Sequence, residues 1–132
     1  MRRHRPDWYH ELAGMPLRGG RFRKARWNPG GRELELVLRV PEPDGWAELL
    51  LRYRNVSLLE PAVPVLARLV EDVRVMLVAQ ELGAASGCWQ HRLATDAGVV
   101  VVRFDDLYLG RQPVGGPEEP LDGGYRFEVL SC

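Results

Sequence analysis

The sequence of 132 residues contains no isoleucine, a single lysine (Lys24) and only two asparagines (Asn28 and Asn55). The codons of these three amino acids are rich in A and T, so their joint scarcity indicates a bacterial chain from a GC-rich genome. Arginine supplies the other 17 positive charges. Because arginine partly replaces lysine for codon reasons, its abundance does not by itself indicate a nucleic-acid ligand.

The sequence also lacks any apolar run near the roughly 20 residues that cross a bilayer. Its charged first residues do not resemble a signal peptide, and neither end carries a lipid-anchor motif. We therefore expect a cytoplasmic protein with no membrane partner. In that compartment Cys88 and Cys132 are expected to be free thiols, with a disulfide between them as the alternative.

A chain of 15.0 kDa has the size of one ordinary domain. Its hydrophobic fraction of 45% and charged fraction of 27% are typical of globular proteins and exclude disorder of the whole chain. A domain of this length buries enough surface to fold without a metal ion or a disulfide. We expect residues 1–132 to form one domain without a cofactor, and residues 1–6 to be a mobile arm.

Alternation of apolar and polar residues predicts seven strands, most clearly over 32–40, where Leu34, Leu36 and Leu38 share one face. The other predicted strands cover residues 21–27, 46–55, 72–80, 88–95, 99–105 and 125–130. Short helices are predicted at 6–14 and 65–70, and loops at 83–87 and 111–124. Because short turns join the strands and no helix is long enough for a parallel crossover, we expect antiparallel pairing. The predicted fold is mostly β (α+β), either a curled sheet or a sandwich.

Positive charge is concentrated at the start of the chain, where residues 1–26 hold eight basic and two acidic side chains. The predicted strand at 21–27 contains four of these basic residues beside an aromatic one: Arg21, Arg23, Lys24, Arg26 and Trp27. Regular alternation would distribute the charges over both faces, which predicts an edge strand protected from unwanted pairing. The alternative is a weak binding site for nucleic acid, in which these residues contact phosphates and bases.

His91 is the most distinctive candidate for chemistry, since it shares a predicted strand face with Trp89 and Leu93. A histidine among core residues most often has a structural role. The alternative is an enzyme, because the turn at 96–98 would bring Arg103 and Asp105 within reach of His91. His91 would then act as a base, Asp105 would orient it, and Arg103 would bind an anion.

No metal site is expected from the spacing of Cys88 and His91. Residues three apart on a strand point to opposite faces, so these two side chains do not converge on one ion. The remaining histidines and acidic residues do not show the ligand spacing of a closed zinc site.

Four short segments resemble a loose group of small bacterial β-rich domains of unknown function. These segments are Leu51-Arg52-Tyr53-Arg54-Asn55-Val56, Gln80-Glu81-Leu82, His91-Arg92-Leu93 and Val102-Arg103-Phe104-Asp105-Asp106-Leu107. Some members of that group are thought to be immunity-type proteins encoded beside toxins. Gln80 departs from the acidic pair of the group, so the resemblance does not imply a paired-carboxylate site there. The resemblance implies no assigned activity, and therefore no catalytic residues.

The leading functional hypothesis is a non-catalytic binding or protein-interaction domain, with an immunity-type protein as its specific form. Its expected partner is another protein or a second copy of the chain. An enzyme using His91 with Asp105 is the first alternative, and a weak nucleic-acid binder is the second.

Overall fold

The computed structural model describes residues 5–43, 45–114 and 126–129, and it confirms the mostly β prediction. Within these residues the chain forms two sheets, of five and four strands, and two short helices. The elements are α1 (Asp7–Ala13), β1 (Arg21–Asn28), β2 (Glu33–Glu42), β3 (Gly45–Arg54), β4 (Leu58–Glu60), α2 (Val63–Glu71), β5 (Leu77–Ala85), β6 (Cys88–Thr95), β7 (Gly98–Phe104), β8 (Asp106–Val114) and β9 (Arg126–Val129). Of the two predicted architectures, the sandwich is the one formed.

The first sheet has the strand order β8-β3-β2-β1-β9, and the second has the order β4-β7-β6-β5. All pairs are antiparallel except one, because β9 runs parallel to β1 along residues 24–27. The predicted antiparallel pairing is confirmed for the other pairs of the described strands, and this parallel pair is a local departure from it. The prediction that residues 21–27 form an edge strand is wrong, since β1 has a neighbour on each side.

The two sheets pack face to face around one apolar core. Strands β2 and β3 contribute a row of fully buried leucines, and β7 contributes Val100, Val102 and Phe104 from the opposite sheet. The rings of Tyr53 on β3 and Phe104 on β7 meet with their centroids 5.0 Å apart. Burial of these side chains supplies the main driving force for bringing the sheets together.

The two helices lie at the two open sides of the sandwich. Helix α1 contacts β5 and β8, the outermost strands of the two sheets on one side. Helix α2 contacts β1, β9 and β4 on the other side. Arg5 lies just before α1 with its guanidinium carbon 4.9 Å from the ring centroid of Tyr9. Residues 1–4 of the predicted mobile arm lie outside the described residues.

Two strands were missed and one was misplaced by the sequence prediction. Strand β4 has only three residues, and β8 includes Gly110 and Pro113, which do not favour a strand. Pairing along the whole length of β3 holds β8 in place, and Pro113 is tolerated because β8 is an edge strand. Residues 115–124 of the predicted loop lie outside the described residues.

The strand predicted over 72–80 begins at Leu77 and continues to Ala85, through most of the predicted loop at 83–87. Asp72 explains the late start, because its side chain accepts a hydrogen bond from the backbone N–H of Arg74. Its carbonyl accepts another from the N–H of Val75. Aspartate commonly forms turns of this kind, which compete with the extended backbone of a strand.

Candidate functional site

A chain of buried hydrogen bonds joins the two sheets through His91, whose side chain is fully buried. The Nδ1 atom of His91 lies 2.7 Å from the hydroxyl oxygen of Tyr53 on β3. Its Nε2 atom lies 2.7 Å from Oε1 of Gln80 on β5. His91 on β6 thus connects a strand of the first sheet with the outermost strand of the second.

The direction of each hydrogen bond in this chain follows from Gln80. Its Nε2 atom donates to the carbonyl oxygens of Leu12 and Met15, at 2.8 and 3.0 Å. Oε1 of Gln80 therefore faces His91 and accepts the proton on Nε2 of the imidazole. The other ring nitrogen, Nδ1, accepts from the Tyr53 hydroxyl. These bonds fix the imidazole tautomer and anchor the end of α1 to the core.

Burial makes both ring-bearing members of this chain hard to ionise. It lowers the pKa of His91 to about 3, because a charged imidazole would lose its hydration. It raises the pKa of the Tyr53 hydroxyl for the same reason. At neutral pH both groups are therefore uncharged, and the hydrogen bonds between them compensate for the loss of water.

The structure does not form the predicted pair of His91 with Asp105. His91 lies opposite Val102, and Arg103 lies opposite Gln90, one residue away from the expected register. Both ring nitrogens of His91 are engaged by Tyr53 and Gln80, while Asp105 is exposed between β7 and β8. The guanidinium of Arg103 is exposed and donates to Oε1 of Gln90 at 2.8 Å. The three residues of the enzyme hypothesis therefore do not converge on a common site.

Gln80 was not recognised as a member of this site from the sequence, because its orientation depends on a β-bulge. Alternation over 72–80 places Leu77 and Ala79 on the inner face and Gln80 on the outer face. The pairing register shifts between Leu77 and Ala79, however, so that Val78 is an extra residue. After this bulge the side chain of Gln80 lies on the inner face, which explains its contact with His91.

A second β-bulge changes the expected distribution of charge on β1. The register shifts between Phe22 and Lys24, with Phe22 opposite Leu38 and Lys24 opposite Val37. Arg23 is the extra residue, and its presence places Lys24 on the outer face of the first sheet. The four basic side chains of this strand consequently lie on the outer face, whereas regular alternation predicts two on each face.

The basic strand also makes contacts within the protein. Nη1 of Arg21 donates to the carbonyl oxygen of Val73 at 2.9 Å. Arg26 lies opposite Glu35, as expected if carboxylates balance these charges across the hairpin. Trp27 belongs to the other face, since it lies opposite the buried Leu34 and packs against the core.

A groove of about 300 Å³ lies between α2 and the turn that joins β6 to β7. Its walls are mainly apolar, and they also include two charged residues, Arg68 and Asp72. The apolar lining consists of Pro61, Val65, Leu69, Val75, Ala97, Gly98 and Val99.

The two charged residues of the groove differ in their surroundings. Asp72 pairs with Arg74 through two side-chain hydrogen bonds of 3.1 Å, which hold the pKa of its carboxyl below the ordinary value. The guanidinium of Arg68 is exposed and makes no hydrogen bond or ion pair with the described residues.

Exposed apolar side chains are concentrated on the segment that contains α2 and the residues after it. Of the six large hydrophobic residues exposed within the described ranges, four fall between residues 65 and 78. These are Val65, Val73, Met76 and Val78, with exposed fractions of 38–48%. Single exposed apolar residues are ordinary, whereas a contiguous exposed apolar patch marks a binding surface. Of these four residues, Val65 lines the groove.

Cys88 is a free thiol and is partly exposed, whereas Cys132 lies outside the described residues. Within the described ranges, histidine, cysteine and acidic side chains do not gather into a group of three that could hold a metal ion. No helix in this part of the chain is long and apolar enough to cross a membrane. No family model, curated protein or solved structure matches the chain.

Proposed function

We propose that this chain is a cytoplasmic, non-catalytic domain that binds another protein through the surface around α2. The observation that carries the proposal is the concentration of exposed apolar side chains on residues 65–78, beside a groove with apolar walls. Burial of such a surface against a partner is favourable because it removes apolar area from water.

The side chains of His91, Tyr53 and Gln80 form hydrogen bonds with one another, which supports a binding function over an enzymatic one. A general base needs a ring nitrogen that can reach a substrate and a pKa near the working pH. His91 is fully buried, its two ring nitrogens contact Tyr53 and Gln80, and its pKa is about 3. Its geometry is that of a structural connection between the sheets.

The specific form that we propose is an immunity-type protein, whose partner is a toxin encoded in a neighbouring reading frame. This proposal rests on the resemblance of four segments of the sequence to domains of that kind. It predicts that the chain forms a stable complex with the product of a neighbouring gene and suppresses the toxicity of that product.

The test is co-expression of the chain with the products of its neighbouring reading frames, followed by affinity purification and light scattering. Wild-type chain should co-purify with one of these products. Val65→Asp places a charge on the exposed surface and should abolish the complex. Tyr108→Asp is the matched control, because Tyr108 is also exposed but lies on β8, at the edge of the first sheet opposite the strands that α2 contacts.

Two results would contradict this proposal. A complex that survives Val65→Asp would place the interface elsewhere on the molecule. A wild-type chain that forms only a homodimer, which Val65→Asp dissociates, would identify self-association as the use of this surface.

A second candidate function is weak binding of nucleic acid by the outer face of the first sheet. The observation that favours it is the bulge at Arg23, which gathers the basic side chains of β1 on that face. Titration of single- and double-stranded DNA at two salt concentrations tests it, because phosphate contacts weaken steeply as salt is added. An absence of binding at about 50 mM salt would exclude this function.

A further inference from the structure

We infer that the α2 groove binds an acidic segment of the partner protein, in which a bulky apolar side chain stands next to a carboxylate. This inference rests on the proposed function and specifies the chemistry of the partner. It depends on two features of the groove. The first is its apolar walls, and the second is whether its two charged residues pair with neighbouring side chains.

The walls determine the apolar part of the ligand. Val65, Leu69, Val75 and Val99 enclose the groove from α2, from the segment before β5 and from β7. A volume of about 300 Å³ accommodates one bulky side chain together with some adjoining backbone. A phenylalanine or leucine side chain that entered would exchange water for contacts with these walls.

The charged residues of the groove determine the sign of the charge that the polar part of the ligand should carry. The carboxylate of Asp72 is already engaged by the guanidinium of Arg74. Arg68 lines the same groove and makes no ion pair with the described residues. A partner carboxylate beside the apolar side chain would complete a charge-assisted hydrogen bond with Arg68. A basic partner segment would meet Arg68 with the same sign of charge and is disfavoured.

Two blocked dipeptides provide a direct test of this chemistry, acetyl-phenylalanyl-aspartyl amide and its asparaginyl counterpart. They have nearly the same shape and differ by one negative charge. Ligands of this size bind with dissociation constants on the order of millimolar, so amide chemical shifts in a ¹H–¹⁵N titration are the suitable readout. We expect both dipeptides to shift the amide signals of Leu69, Gly98 and Val99.

The charge contribution is measured by the difference between the two dipeptides. We expect the aspartyl form to bind wild-type protein about threefold more tightly, which is the size of an exposed ion pair. Arg68→Gln should remove this difference and leave the binding of the asparaginyl form unchanged. Arg92→Gln should keep the difference, because Arg92 is an exposed arginine on β6 that pairs with Glu81 outside the groove.

Equal affinity for both dipeptides in the wild type, shifts confined to other parts of the protein, or no shifts at all would each overturn the inference. These outcomes are separable from failure of the proposed function. If a partner complex forms and is lost in Val65→Asp but neither dipeptide binds, the proposed interface stands and its acidic chemistry is refuted. If the dipeptides bind in the groove but no partner complex forms, the inferred ligand chemistry of the groove stands and the proposed function is refuted.

Discussion

Acidification should destabilise this protein at pH values where its surface carboxylates are still ionised. The cause is His91, whose pKa is lowered by burial to about 3 from an ordinary value of 6.5. Below pH 6.5 the unfolded chain binds a proton at this imidazole, whereas the folded chain does not. The contribution of His91 to stability is therefore complete above pH 6.5 and is lost as the pH falls from 6.5 towards 3.

The size of the effect follows from the two pKa values. Each pH unit below 6.5 removes about 1.4 kcal/mol from the free energy of unfolding, until the pH approaches the folded-state pKa. Between pH 7.5 and pH 5.0 the loss amounts to about 2 kcal/mol. This is a large part of the 5–15 kcal/mol that is typical of a small domain.

The assay is urea unfolding, followed by tryptophan fluorescence, at half-unit steps from pH 7.5 to pH 5.0. His91→Gln should flatten the dependence of stability on pH over this range, although it also lowers stability at every pH. His10→Gln is the matched control, since it removes an exposed histidine from α1 and should retain the wild-type slope.

A second measurement applies even if His91→Gln does not fold. The ¹⁵N chemical shifts of the wild-type imidazole should show a proton on Nε2 and none on Nδ1 throughout this pH range. A His91 that titrates near 6.5 in the folded protein, or a proton on Nδ1 at neutral pH, would refute the hydrogen-bond directions derived from Gln80. A wild-type stability that does not change between pH 7.5 and 5.0 would refute the linkage argument.

Three further predictions concern stability and are measured by urea unfolding at pH 7.5. Gln80→Glu keeps the shape of the side chain but turns a charged acceptor towards the carbonyl oxygens of Leu12 and Met15, and should cost roughly 3 kcal/mol; an unchanged midpoint would contradict the donor role of Gln80. Tyr53→Phe leaves Nδ1 of His91 without its donor and should cost about 1–3 kcal/mol, whereas a neutral or stabilising effect would show that the hydroxyl is dispensable. Gly20→Ala should cost about 1–3 kcal/mol, because its new Cβ would lie 2.8 Å from a methyl of Val40 and 2.9 Å from two backbone oxygens. Gly83→Ala is its control, since no atom lies within 4 Å of that Cβ, and equal effects of the two substitutions would refute the steric argument.

Local alternation was sufficient to predict β2, β3 and the position of His91 in the core. Leu34, Leu36 and Leu38 are buried as their spacing predicts, and they lie opposite residues of β3 that have the same period. The physical reason is that a strand has two faces and only one of them packs against the core. Tyr53 on β3 is buried for the same reason.

The two β-bulges were beyond such prediction, and both affect the candidate sites. At Arg23 and at Val78 an extra residue reverses the face on which all later side chains of the strand lie. Nothing in the local sequence marks either position, because a bulge is set by the register with the neighbouring strand. The basic face of β1 and the contact of Gln80 with His91 both depend on these registers.

The amino-acid sequence by itself determined the class of the fold, since its period of two and its short turns are local properties. It also supplied the imidazole, the hydroxyl and the amide that form the buried chain. Only the tertiary structure decided that Tyr53, Gln80 and His91 meet, because they come from three strands in two sheets. The same holds for the groove beside α2, whose walls are brought together by packing between segments that are distant in sequence. Contacts of this kind depend on strand order and register, which the spacing of residues along one segment does not specify.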